Sequence, residues 1–154
     1  MGNMGMKEIY YLNQNTVPTI PCPHDCIIKD IRIEKDCLVF VFEDDISYHD
    51  SIKSIKPNVK SLVMRFHLLN DEYDVDLLVQ GKAKKLLHKP GKYKNIEIDE
   101  QKRTCKKLIS TKIEYLYHNV GYCSIIVKLW SRGSVIFDLT VDYIELEWIE
   151  LKHI

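Results

Sequence analysis

A chain of 154 residues is long enough for one domain with its own hydrophobic core and needs no disulfide or metal staple to fold. Its 22 Lys and Arg balance 22 Asp and Glu, so no global charge draws it to nucleic acid or to an anionic membrane. No apolar run approaches the roughly 18 residues of a membrane span, and residues 1–15 lack the basic and apolar regions of a secretory signal. The Met1-Gly2 start does not complete a myristoylation pattern, because Met6 stands where Ser or Thr is required. The five cysteines, Cys22, Cys26, Cys37, Cys105 and Cys123, are odd in number and irregular in spacing, as free thiols in a reducing compartment are. The expectation is a soluble cytoplasmic protein forming a single domain over 1–154, with an extended leader over 1–23 and a β core over 24–151.

In chain order, Met1 to Asn15 is polar apart from the cluster Ile9, Tyr10, Tyr11 and Leu12. Thr16 to Pro23, with Pro18, Pro21 and Pro23, is an extended lead-in unsuited to helix. Cys26 to Ile33 places Ile27, Ile31 and Ile33 on one strand face, Glu34 to Asp36 is a turn, and Cys37 to Phe42 is continuously apolar. The pair predicts a hairpin whose second strand is buried on both faces. Asp50 to Lys56 predicts one helical turn, capped by Asp50 or Ser51 and stopped by Pro57. Leu62, Met64, Phe66 and Leu68 alternate with polar residues, as do Val75, Leu77 and Val79, and the turn chemistry of Asn70 to Glu72 predicts a second hairpin between them.

From Gly81 the lysines Lys82, Lys84, Lys85, Lys89, Lys92 and Lys94 arrive without an acid among them, around a Pro90-Gly91 turn. Ile96 and Ile98 predict a short strand. Asp99 to Ile109 predicts a helix with acids first, cations later, and Cys105, Leu108 and Ile109 on one side.

The stretch from Lys112 to Leu151 predicts a three-stranded meander. Ile113, Tyr115 and Tyr117 share one parity, a turn spans Asn119 to Tyr122, and Cys123, Ile125, Val127 and Leu129 then alternate with Ser124, Ile126, Lys128 and Trp130. Cys123, in phase with Ile125, is expected inside. After the turn Ser131 to Ser134, the apolar set runs Val135, Phe137, Leu139, Val141, Tyr143 and then changes parity to Ile144, Leu146, Trp148. Burying both halves requires a bulge or sharp bend near Tyr143. The fold class expected is all-β: an antiparallel sandwich or partly closed barrel of about eight to ten strands with one or two short helices.

The densest cluster of metal-binding residue types is Cys22-Pro23-His24-Asp25-Cys26. Zinc would take Cys22, His24 and Cys26 and need a fourth ligand from across the fold; a proline-rich lead-in with two ordinary thiols explains the same residues. The His24-Asp25 and His49-Asp50 pairs suit structural roles. Asp25 is placed to take backbone N–H groups while His24 holds the turn, and Asp50-Ser51 begins the helical turn. There is no Gly-x-Ser-x-Gly elbow and no phosphate loop. The acid pairs Asp74/Asp76 and Glu145/Glu147 match ordinary exposed strand faces. The lysine segment, with Lys102, Arg103, Lys106 and Lys107 further on, has too little arginine and aromatic interleaving for a nucleic-acid site; a solvated loop or a surface facing an acidic protein fits it. Tyr115, Tyr117, Tyr122 and Trp130 are the candidate interaction residues, large amphipathic rings along the last strands.

The run His24-Asp25-Cys26-Ile27-Ile28, the charged turn after it, and Leu38-Val39-Phe40-Val41-Phe42-Glu43-Asp44 resemble the N-terminal hairpin of small bacterial β proteins. Some of these are similar to immunity proteins of polymorphic toxin systems. The resemblance covers about a fifth of the chain. It implies a bacterial, intracellular, non-catalytic protein that acts by binding another protein, with no catalytic set to carry over. The expected function is therefore a binding or interaction protein of the toxin-neutralising kind, with a protein partner or a homodimer and no cofactor. The alternatives are a carrier holding a small apolar ligand in a barrel cavity, and a zinc-binding domain or enzyme built on Cys22, His24 and Cys26.

Overall fold

The structure, a computed structural model, describes residues 5–70, 72–82 and 85–151; the Met1-Gly2 start and Lys84 lie outside the described residues. In its first half β1 (Gly5–Tyr11), β2 (Ile28–Ile33), β3 (Cys37–Phe42), α1 (Asp50–Lys53) and β4 (Val59–Leu68) follow one another. Then come β5 (Val75–Gln80), a 3-10 turn (Lys85–Leu87), β6 (Tyr93–Ile96), α2 (Ile98–Ser110), β7 (Glu114–Gly121), β8 (Ser124–Trp130) and β9 (Ser134–Glu150).

Everything is arranged on β9, whose seventeen residues contain no Gly or Pro and are dense in Val, Ile, Phe, Leu and aromatic side chains. Its C-terminal half is flanked by β4 and β1, giving a first sheet in the order β2-β3-β4-β9-β1. Its N-terminal half is flanked by β5 and β8, giving a second sheet in the order β6-β5-β9-β8-β7. All pairs are antiparallel. The change of parity along β9 is resolved where expected: Val135 to Val141 are buried on odd positions, Ile144 to Trp148 on even ones. The register with β4 slips across Asp142, between His67↔Tyr143 and Leu68↔Val141. One bulged residue thus lets a single strand serve both sheets.

The two sheets meet again at their far edges. Asp25 N–H donates to Tyr115 O (2.8 Å), Tyr115 N–H to Cys26 O (2.9 Å), and Ile28 N–H to Ile113 O (3.0 Å). The segment leading into β2 is therefore stitched to β7, and the curled sheet is a half-barrel, the partly closed of the two arrangements expected. Its interior is filled by rings. Phe40, Phe42, Phe66, Phe137, Tyr115 and Trp148 are fully buried, and the Phe40 ring meets Phe66 and Phe137 edge-on at 5.2 and 5.5 Å.

Several expectations are corrected. Residues 5–11 of the leader are a strand, because β9 is long enough to pair them: Leu12 is buried, and Glu8 accepts from Trp148 Nε1 and pairs with Lys56 at 3.3 Å. Residues 17–23 carry neither helix nor strand, in keeping with the proline-rich lead-in expected there. Strands β4 and β5 are not a hairpin; each pairs with a different half of β9. In β2 a register slip across Lys29 buries Ile28 with Ile31, leaving Ile27 only half-buried. His49, not Asp50 or Ser51, occupies the cap position of α1, while the Ser51 hydroxyl donates to His24 O at 2.8 Å. Ile98 opens α2 instead of continuing a strand, and that helix buries Gln101, Cys105 and Leu108.

Candidate functional site

The antiparallel register of the second sheet places its outward side chains in rows. One row runs Trp130, Gln80 and Tyr93 from β8 over β5 to β6, with Ser134 of β9 in register between Trp130 and Gln80 but only 2% exposed. The next runs Tyr117, Lys128, Ile136, Leu78, and a third pairs Asn119 with Ile126 and Asp138 with Asp76. On this face Tyr117 and Trp130 are each 46% exposed and Ile126 40%. The Lys128 ammonium lies over the Tyr117 ring, 5.6 Å from its centre, a cation–π contact between cross-strand neighbours. A row of rings and aliphatic side chains on an open sheet is what a binding surface needs: large area with little side-chain entropy to lose.

Of the four candidate interaction residues, the structure brings Tyr117 and Trp130 onto this face and puts Tyr122 at its end, in the β7–β8 turn, 66% exposed. Tyr115 is a correction. It is fully buried, packed against Phe40 and Phe42, because the register of β7 with β8 slips across Leu116 and turns Tyr115 and Tyr117 to opposite faces. Cys123 is another: it sits half-buried in the turn with φ 49°, so the left-handed position falls on a cysteine and not on Gly121. Leu78, Tyr93, Ile126 and Ile136 complete the face; their alternation is visible in the sequence, but which strands lie side by side is not.

Cys22, His24 and Cys26 lie together against β7, each held by a backbone carbonyl. The Cys22 thiol donates to Leu116 O at 3.6 Å, His24 Nδ1 donates to the same oxygen, and the Cys26 thiol points to His24 O at 3.8 Å. His24 Nε2 stands 3.3 Å from Asp25 Oδ1, both side chains exposed. Burial pushes the Cys22 thiol up to about 11 and the Cys26 thiol up to about 12. Among the described residues no three His, Cys, Asp or Glu side chains stand close enough to share a metal ion.

His118, on β7 beside this segment, joins it to the core. The Ile20 carbonyl accepts from Nε2 at 3.0 Å, so Nδ1 accepts from the buried Tyr115 hydroxyl. Burial lowers the pKa of this imidazole, and the Ile20 carbonyl partly offsets that.

The two acid pairs differ in their surroundings. Glu145 and Glu147 flank Arg65 at 2.9 and 2.8 Å, and Asp74 and Asp76 are exposed. A hollow of about 540 Å3 lies between the β2–β3 turn and α2, lined by Ile33, Glu34, Lys35, Tyr73, Ile98, Asp99 and Lys102; the candidate tyrosines and Trp130 do not line it. No described helix is long and apolar enough to cross a membrane. No protein-family model matches the chain, and no curated protein or solved structure matches it.

Proposed function

We propose that this is a non-catalytic binding protein that engages another protein through the outer face of the β6-β5-β9-β8-β7 sheet. The observation that carries the reading is the grouping of Tyr117, Ile126 and Trp130, each 40–46% exposed, on one face of a sheet whose other side is a filled core. Rigid rings presented from strands need little ordering on binding. The hairpin resemblance supplies the kind of partner, a bacterial toxin neutralised in the cytoplasm. A photo-crosslinking residue at Ile126, expressed in the native host, is expected to capture a second polypeptide, while the same residue at Tyr48, outside this face, does not. Equal capture from both positions, or from Tyr48 alone, contradicts the proposal.

A further inference from the structure

The neutral total charge conceals a division. Residues 82–112 hold eleven of the 22 Lys and Arg but three of the 22 Asp and Glu, a net +8, which leaves −8 on the remainder. Most of these cations are solvated without a local partner: among the described residues Lys89, Lys92, Lys94, Lys102, Lys106 and Lys107 are exposed and none makes an ion pair. The fold fixes the first part of this segment beside the aromatic face. Gln80, in the Trp130 row, donates to Gly91 O at 3.2 Å and accepts from Ser134 N–H at 3.2 Å, and Gly81 N–H donates to Lys92 O at 2.8 Å. Gly91 approaches so closely that a Cβ there would lie 1.8 Å from Gly81 O. The turn carrying Lys89 and Lys92 is thus pinned at the end of the row Trp130-Ser134-Gln80-Tyr93.

We propose that the occupant of this face is an acidic protein whose carboxylates seat against Lys89 and Lys92 while its apolar side chains cover Trp130, Ile136 and Leu78; this rests on the binding role proposed above. Two observations favour protein over nucleic acid. Leu86 and Leu87, 98% and 61% exposed beside the lysines, offer aliphatic surface that a phosphate backbone does not use. At the other end of the face Asp76 and Asp138 stand directly opposite one another, both exposed, and a uniformly anionic duplex would have to lie over them. A folded or peptide partner with acids at one end and a cation at the other meets both ends.

The test titrates three probes into isotope-labelled full-length chain: a peptide with Glu and Asp before Leu-Trp-Leu and one Lys after it, the same peptide with Lys in place of the acids, and a short DNA duplex. The acidic peptide is expected to move the amide signals of Tyr93, Trp130 and Ile136, with affinity falling as salt rises. The double variant K89E/K92E is expected to weaken it about tenfold or more, and K89Q/K92Q by less, with the remaining spectrum unchanged. Tighter binding of the basic peptide or of the duplex at this face, or no shift with the acidic peptide, overturns the proposal. So does a concentration-dependent dimer that buries the face, which would make a second copy the occupant. If W130A abolishes binding but the lysine variants bind as the parent does, the charge inference fails while the face itself stands.

Discussion

Tyr115 and Tyr117 are two residues apart in one strand and face opposite sides of it, Tyr115 fully buried in the barrel and Tyr117 46% exposed on the outer face. The bulge at Leu116 separates them, and it does so beside the place where β7 is stitched to the segment entering β2. Tyr115→Ala therefore removes a core ring and is expected to cost about 3–5 kcal/mol, whereas Tyr117→Ala should stay within ~1 kcal/mol. Urea denaturation of the two variants checks this; similar losses for both would place Tyr117 inside.

Gln101 is a fully buried polar side chain whose bonds are complete: Nε2 donates to Val75 O at 2.8 Å and Ile96 O at 3.2 Å, and Oε1 accepts from the Tyr73 hydroxyl at 2.6 Å. It ties α2 to β5 and β6. Gln101→Leu strands those groups and is expected to destabilise by about 1–3 kcal/mol. Hydrogen exchange should show the loss as faster exchange in α2 and β6, with β3 and β4 little changed.

The thiols of Cys26, Cys37 and Cys105 are pushed up to about 12 by burial, with nearby Glu34 and Asp36 adding at Cys37, and that of Cys22 to about 11. At pH 8 these are almost wholly protonated, so iodoacetamide should label them about tenfold or more slowly than a free thiol, Cys22 ahead of Cys26. A zinc site would instead protect Cys22 and Cys26 until a chelator is added. Labelling unaffected by EDTA separates the two accounts.

His118 carries a lowered pKa because burial disfavours its charged form. The unfolded chain therefore takes up a proton at His118 more readily than the native one, so its contribution to stability is complete above about pH 6.5 and is lost as pH falls below that value. Stability against urea is expected to fall between about pH 7 and pH 5, and to fall less steeply in His118→Gln. Parallel profiles would remove His118 as the cause.

What the sequence made legible depended on whether a feature announces itself locally. The parity change in β9 is visible because two long apolar runs of opposite phase abut at Tyr143, and the solution, a bulge, is local too. The bulge at Leu116 was not visible: Tyr115 and Tyr117 are amphipathic rings that suit either face, so the alternation reads smoothly through the irregular residue. Strand neighbours were legible where a short turn dictates them, as in β2–β3 and β7–β8–β9, and illegible for β4 and β5. There the same turn chemistry served two consecutive strands that each pair with β9. Gln101 gave no signal because a polar residue in a helix is ordinarily taken as exposed, and only the topology brings Tyr73, Val75 and Ile96 to it. For the candidate site, Tyr117, Tyr122 and Trp130 could be named from composition, but Leu78, Tyr93 and Ile136 join them only through the strand order.

Hydrogen exchange of the chain alone and in the complex captured from its host decides whether the outer face of the second sheet is the working surface. Partner binding is expected to bring new protection in β8, the first half of β9 and β6, around Trp130, Ile136 and Tyr93. Protection confined to other surfaces, such as the outer face of the β2-β3-β4 sheet, or a complex that leaves β8 exchanging as in the free chain, would contradict it.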